Sequence, residues 1–534
     1  MNRRLSGREL LSWSRLALTV AGAVLGSGCQ PPVPVPPPAP VAGAPAPRII
    51  PFPVSLTLGG GAPFELTTAS RITLVGANAE VAAIGEGLAA LLRRATEFPL
   101  PVTTSSGGSG SNSVELRLAS DAASLGEEGY RLTVTTDSVR LVASAPAGLF
   151  HGVQTIRQLL PVDIESEIGV ARSIWPIPAL TIVDRPRFAW RGAMLDVTRH
   201  FFTVREVEQY IDILAMYKLN VLHLTLSNDQ GWRIQINSRP KLTAIGASTQ
   251  VGGGPGGFYT QQDYQEIVRY ARARYITVVP EIDMPGHTNA ALTAYPELSC
   301  STRPSVPFTR IDVGWSTLCV DKEGSYALVD DVVREISAIT PGPYFHVGGD
   351  EAHVLTPDQY ARFIERVQDI VNRYGKRMIG WEEVTKAHIK PTTLAQQWSS
   401  DSATAALQHG AKLILSPTKK SYLDMKYTPA TEVGLAYAGF IDVSDAYDWD
   451  PAIYVPGVTE RDIVGVEAPL WSETLKNITA AEYMAMPRLP AIAEVGWTPQ
   501  ASREWQSFRS RLAAQAPRWH YLGINYYRSP QIPW

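Results

Sequence analysis

From Arg185 onward the chain repeats one pattern: a short apolar run, then a longer stretch whose apolar residues recur three and four positions apart. Runs of about four to eight apolar residues with polar ends read as strands buried on both faces, and the wider spacing reads as amphipathic helix. The predicted strands are Gly192–Val197, Val221–Leu226, Ile276–Glu281, Tyr344–Val347, Arg377–Gly380, Thr393–Trp398, Lys412–Ser416 and Gly465–Leu470. Helices predicted at Val204–Tyr217, Gln262–Arg274, Tyr326–Ile339 and Pro357–Tyr374 separate the first five. Eight strands in such alternation favour an α/β fold closed as a (β/α)8 TIM barrel over residues 185–534. An open doubly wound sheet is the alternative, and the lack of a Gly-rich nucleotide fingerprint after any strand counts against it.

Residues 49–184 carry a different pattern. Val114–Leu118, Tyr130–Val134 and Val139–Val142 alternate with period two, while Ala79–Ala95 and Ala147–Leu160 have helical spacing. These predict a small α+β accessory domain, a short sheet with helices on one face. It holds no cluster of His, Cys or acidic residues, so its expected role is support.

Further upstream, Arg3, Arg4 and Arg8 precede the apolar stretch Leu16–Leu25, which ends at Gly26-Ser27-Gly28-Cys29. A basic start, a short apolar core and small residues before a break describe an export signal over residues 1–29. The break resembles a bacterial lipoprotein processing site, with Cys29 as the lipidated residue, although Gly26 stands where such sites usually carry an aliphatic side chain. Ordinary cleavage nearby is the alternative. Residues 30–48 are mostly Pro, Ala and Val and read as an extended tether. The expected location is therefore the cell envelope, as a membrane-anchored lipoprotein or else periplasmic or secreted.

Composition narrows the chemistry. The 48 basic and 51 acidic residues give a net charge of −3, with no basic run, which argues against a nucleic-acid partner. Cys300 and Cys319 flank a Pro/Ser/Thr-rich stretch. In an oxidising compartment a disulfide between them would close a loop and contribute about 3 kcal/mol; two unpaired thiols are the alternative. Thirteen Trp supply flat amphipathic surfaces suited to cores or to sugar rings.

In a barrel of this kind the active site forms at the carboxyl ends of the strands. Just past the predicted strands stand Asp196 and Arg199; Asn228, Asp229 and Gln230; Glu281, Asp283 and His287; and His346, Asp350 and Glu351. The remaining four ends carry Trp381 and Glu382, Trp398, Tyr422 and Asp424, and Trp471 and Glu473. Carboxylates and indoles on one rim point to carbohydrate chemistry. Each Trp alone could be packing, and Asp196 and Glu281 could be supporting ion pairs. His346 and His353 bracket the acidic pair, but their spacing matches no metal motif, so no metal and no cofactor are expected. Asp350 and Glu351 are neighbours, and in an extended segment neighbours point oppositely. They are then poorly placed as an acid and a nucleophile about 5–5.5 Å apart. The nucleophile is left unassigned, a gap that a group on the substrate could fill.

These motifs carry a resemblance. Asp196-Val-Thr-Arg199, Asp229-Gln-Gly-Trp-Arg233, Pro280–His287, His346–His353, Tyr422-Leu-Asp424 and Leu470–Glu473 resemble glycoside hydrolase family 20, the β-N-acetylhexosaminidases, in family order. Glu128–Leu132 and Ala147–Thr155 resemble the family's small accessory domain. The resemblance implies an exo-acting, retaining, substrate-assisted hydrolase with an oxazoline-type intermediate. Glu351 would be the acid/base, Asp350 would orient the 2-acetamido group, and Tyr422 would donate to its carbonyl. Trp381, Trp398 and Trp471 would enclose the sugar, with Arg199, His287, Asp424 and Glu473 binding around it. Chitin oligomers, peptidoglycan fragments and glycoconjugates are all compatible substrates. The family usually has two acids before Gln-Gly-Trp, and here Asn228 replaces the first. The resemblance makes that acid the far member of a relay through His287 to Glu351, so a shifted pH profile is expected. A non-catalytic surface carbohydrate-binding protein with the same fold is the competing reading, although both Asp350 and Glu351 are present.

Overall fold

The computed structural model describes residues 47–534 apart from 109, 303 and 304. The export signal, Cys29 and the tether up to residue 46 lie outside the described residues. Gln515 Nε2 already donates to the Arg48 carbonyl at 2.8 Å, so the last residues assigned to the tether belong to the folded body.

The smaller part of the fold holds nine strands: β1 (Ser55–Leu58), β2 (Phe64–Leu66), β3 (Arg71–Val75), β4 (Val102–Ser105), β5 (Ser113–Leu118), β6 (Tyr130–Val134), β7 (Ser138–Ala143), β8 (Trp175–Ile177) and β9 (Leu180–Asp184). Seven form one mixed sheet in the order β1-β9-β6-β7-β5-β3-β4, and β2 pairs with β8 apart from it. Leu88 and Leu92 of helix Ala79–Thr96 and Leu149 and Ile156 of helix Pro146–Leu159 meet Ile72, Leu116, Leu132 and Leu141 in one core. The sheet is larger than the three strands predicted. Of the missed strands, β1 and β4 contain no buried residue and show no clean apolar face.

The larger part is an eight-stranded parallel barrel: β10 (Trp190–Asp196), β11 (Val221–Thr225), β12 (Thr277–Glu281), β13 (Tyr344–His346), β14 (Arg377–Trp381), β15 (Leu394–Gln397), β16 (Lys412–Leu415) and β17 (Ile463–Ala468). Pairing of β10 with β17, Trp190 opposite Gly465, closes it. The first four crossovers contain the helices Val204–Met216, Gln261–Arg272, Glu323–Ile339 and Pro357–Arg373. Thr203, Thr260 and Thr356 start three of these with capping boxes, which satisfy the free N–H groups of the first turn. After β14 the crossover shrinks to the 3-10 turn Glu382–Lys386, and after β15 to the short pair Asp401–Thr404 and Ala405–Gln408.

Trp190, Val221, Val279, Ile379, Leu394 and Ile414 plug the amino-terminal end of the barrel. Further along the same strands the interior turns polar: His223, Glu281, His346, Gln396 and Glu467 are all buried.

The two parts share a buried polar interface. Lys218 Nζ donates to Tyr130 Oη at 2.8 Å and to Asp184 Oδ2 at 3.1 Å. Trp497 Nε1 donates to Asp184 Oδ1 at 2.9 Å, and Arg191 reaches both oxygens of Glu128 at 2.6 and 3.0 Å. The described residues accordingly form one unit. Cys300 and Cys319 are bonded, as expected. Among the described residues no helix is long and apolar enough to cross a membrane.

Candidate active site

All eight segments that follow the barrel strands contribute to one site. Its centre is His287, fully buried in the loop after β12. Nε2 lies 3.3 Å from Glu351 Oε2 and 3.6 Å from Asp350 Oδ2, and Nδ1 lies 3.5 Å from Asp229 Oδ2. Burial works against a charged imidazole, but Asp283, Asp350, Asp229 and Glu351 outweigh it and hold His287 protonated well above its ordinary range. Burial raises the Glu351 carboxyl, and the hydrogen bond and charge of His287 more than reverse this, leaving it low. Burial pushes Asp350 up, against the pull of His287, to about 6.

Two sequence expectations change here. Asp350 and Glu351 do not diverge, because the extended backbone ends at His346. Gly348, Gly349 and Glu351 then take φ of 65°, 99° and 49°, and this bend turns both carboxylates toward His287. Gly348 is required at the bend: a Cβ there would sit 1.8 Å from Asp283 Oδ1. The second change concerns the relay. The side chain that faces His287 Nδ1 is Asp229, not Asn228. Asn228 Oδ1 instead accepts the Asp229 backbone N–H at 2.9 Å, so the substitution at 228 leaves the charged partner of His287 in place. Asp229 Oδ1 accepts from Asn289 N at 3.0 Å and from Ser316 Oγ, which sits inside the disulfide-closed loop.

Beside the acids lies an aromatic box. Trp381, Tyr422, Trp471, Met194, Met425 and Ile441 form one cluster, with Trp398 packed against it. Trp398 and Tyr422 are nearly parallel, at 22° and 6.5 Å between centroids, and the Trp381 and Trp471 rings are 5.8 Å apart. The inner end is closed by Arg199, Asp424 and Glu473. Arg199 stacks 4.7 Å over Trp471 and lies 3.5 Å from Asp196 and 3.8 Å from Glu473. Burial raises both Asp424 and Glu473. Both Asp424 carboxylate oxygens, Glu473 Oε2, Asp350 Oδ1, Asn228 Nδ2 and Arg199 Nε have no hydrogen-bond partner. So many unpaired polar atoms in one buried pocket are costly unless a polyhydroxylated ligand satisfies them.

Two groups of side chains place ligand-type atoms within 4.8 Å of one another, His223/Glu281/His346 and Asp283/His287/Asp350. Glu281 is paired with both histidines of the first group, and in the second His287 lies 3.6 Å from Asp350 while Asp283 Oδ1 accepts the Gly349 backbone N–H. A cavity of about 1480 Å³ lies elsewhere, between the helices of the small domain and the outer helices of the barrel, and none of the active-site residues lines it. The sequence reading left Asp283, Glu383 and Ser316 without roles. Asp283 stands at a strand end and inside the Pro280–His287 motif, which was a usable signal. Glu383 and Ser316 gave none, since their positions depend on how loops fold back.

A barrel whose strand ends present paired acids beside an indole-walled, polar-ended pocket is a glycoside hydrolase. Residues 188–360 and 354–500 match the glycosyl hydrolase family 20 catalytic domain, and residues 46–185 match domain 2 of that family. The chain is 44% identical over 490 residues to a beta-N-acetylhexosaminidase of Cellulomonas fimi, covering 91% of this chain and 97% of that one. It is 50% identical to the solved family 20 beta-N-acetylhexosaminidase of Streptomyces coelicolor A3(2), with a TM-score of 0.88 and coverage of 92% and 99%. A Streptomyces plicatus beta-hexosaminidase variant in complex with the product GlcNAc is also 50% identical, with a TM-score of 0.88 and coverage of 93% and 99%. The chain belongs to glycoside hydrolase family 20 and is a β-N-acetylhexosaminidase acting on carbohydrate.

Proposed function

We propose that the enzyme removes terminal, non-reducing N-acetylhexosamine residues with retention, the substrate's own 2-acetamido group serving as nucleophile. The observation that carries this reading is that Asp350 and Glu351 meet at the same nitrogen of His287. Acids so arranged do not flank a glycosidic bond from opposite faces, as an acid and an enzymic nucleophile must. Asp350 borders the aromatic box, where it can accept the acetamido N–H while Tyr422 donates to the carbonyl. The carbonyl oxygen then bonds to the anomeric carbon as the bond to the leaving oxygen breaks, and that oxygen takes a proton from Glu351. His287, protonated and 3.3 Å away, hydrogen-bonds Glu351 and stabilises the carboxylate that remains once the proton has left. In the second half Glu351 accepts a proton from water, which attacks the same carbon and opens the oxazoline. Two inversions give net retention. Intramolecular attack gains the high effective molarity of a tethered nucleophile. Exo action is supported by the buried inner wall of Arg199, Asp424 and Glu473, which leaves no exit for a chain continuing past the bound sugar.

The test is hydrolysis of aryl N-acetylglucosaminide against aryl glucoside, with a thiazoline analogue of the intermediate as inhibitor. Equal rates on the two substrates, or no inhibition, would sink the mechanism. Glu351→Gln should lower kcat by about 10²–10⁴-fold; retained activity would remove Glu351 from the role of acid.

The amino-terminal sequence supports export with a lipid on Cys29. Metabolic labelling with a fatty acid, lost in Cys29→Ser, is the expected result, and unlabelled wild type would refute it.

A further inference from the structure

Two of the three indoles of the aromatic box, Trp381 and Trp398, are each held from behind by a carboxyl group. Trp381 Nε1 donates to Glu281 Oε1 at 3.0 Å. Trp398 Nε1 donates to Glu383 Oε2 at 3.1 Å. We infer that Glu281 and Glu383 are positioning residues that fix the tilt of Trp381 and Trp398, and so set the size and shape of the space that receives the acetamido group.

Each carboxyl group is itself locked. Glu281 is wholly buried inside the barrel, where Thr225 Oγ1 donates to it and His346 Nδ1 and His223 Nε2 lie 3.0 and 3.3 Å from its oxygens. His223 is pinned on its other side, Nδ1 to Glu467 Oε1 at 2.8 Å. Glu467 is held in turn by Trp190 Nε1 at 2.9 Å and Gln396 Nε2 at 2.8 Å. Residues from six strands of the barrel thus form the network that fixes the carboxyl group holding Trp381. Glu383 sits in the short turn after β14. Burial, and then the Asp350 carboxylate, push it up to about 8, so at neutral pH it is an uncharged acceptor. Its neighbour Glu382 takes the backbone N–H groups of Trp398, Ser399 and Ser400 at 3.0, 3.3 and 3.0 Å, which fixes the segment bearing the second indole. An indole anchored only by stacking would be free to rock in its plane. A directional N–H bond to an immobilised acceptor removes that freedom. In substrate-assisted attack the acyl group must be folded against the sugar ring, so a rigid box enforces the reactive geometry and rejects larger acyl groups.

This inference rests on the 2-acetamido reading above. Glu383→Leu should lower kcat/KM on an aryl N-acetylglucosaminide by about tenfold, the worth of one strong hydrogen bond. Glu383→Gln, which keeps an acceptor oxygen, should restore it to within about twofold. The preference for N-acetyl over N-propionyl substrate should fall in Glu383→Leu, an effect that general loosening of the fold would not produce. In a Trp398→Phe background, which lacks the N–H, the Glu383→Leu loss should vanish. Glu281→Gln with Trp381→Phe forms a second cycle, which decides the matter should Glu383→Leu fail to fold. Additive losses in a folded cycle, or an unchanged acyl preference, would overturn the inference. Wild-type enzyme indifferent to the acetamido group would instead overturn the mechanism itself.

Discussion

Asp229→Asn tests the relay directly. The substitution removes the negative charge facing His287 Nδ1 while keeping size and shape. At 3.5 Å and an effective dielectric of about 20, one unit charge contributes about 5 kcal/mol to the imidazolium, an upper bound of about 3.5 pH units. His287 is raised above its ordinary range, so its proton is present at low pH and lost as pH rises through the folded value. Lowering that value brings the loss toward neutrality. The assay is kcat/KM against pH on an aryl N-acetylglucosaminide. The alkaline limb of Asp229→Asn should move toward neutral pH, by no more than about 3.5 units, while the acid limb stays nearer its wild-type position. Ser316→Ala, which removes one donor from Asp229, should move the same limb in the same direction by less than about one unit. An Asp229→Asn profile overlaying wild type would refute the relay. So would a full shift on replacing Asn228 with Ala instead, because its Oδ1 accepts from the Asp229 backbone and its Nδ2 makes no hydrogen bond to the imidazole ring.

Three further outcomes follow from buried groups. His223, raised to about 10 between Glu467 and Glu281, stabilises the fold fully below its unfolded value of about 6.5 and loses that contribution as pH climbs to about 10. The Tm gap between wild type and His223→Gln should therefore narrow from pH 6.5 to 10, and a constant gap would contradict it. Opening the Cys300–Cys319 bond, which closes a separation of 19 residues, should cost about 3 kcal/mol by denaturant titration. It should also lower kcat through Ser316, and full activity in the reduced protein would show that the loop holds without it. Asp184→Ala strands Lys218 without its buried counter-ion and should destabilise by about 3–5 kcal/mol; a loss under about 1 kcal/mol in the same titration would mean that water reaches the ammonium.

The barrel was legible because its strands are short, mainly apolar runs that end in chemistry. Val221–Thr225, buried throughout and followed by Asn228 and Asp229, is the pattern at its clearest. The small domain was only half legible. β4 reads Val-Thr-Thr-Ser, and its place at the sheet edge comes from pairing with β3, which no local period encodes. In the site, the residue types at strand ends could be read, but their mutual geometry could not. Three positive φ angles between Gly348 and Glu351 decide which way two carboxylates face. Whether Asn228 or Asp229 meets His287 depends on a single turn of backbone. Tertiary folding of the loops, rather than any sequence period, assigns these partners.

The buried cluster of Asp184, Lys218, Tyr130 and Trp497, with Arg191 on Glu128, joins the two parts of the chain. Each part supplies the counter-charge that the other has buried, so neither is a self-sufficient module. A barrel cut free at residue 185 would carry an uncompensated ammonium and guanidinium on an open face, and the separated sheet would carry their orphaned carboxylates. Swapping the amino-terminal portion between relatives would succeed only when this ionic register is carried along with it. The accessory segment is better regarded as the barrel's missing wall than as its passenger.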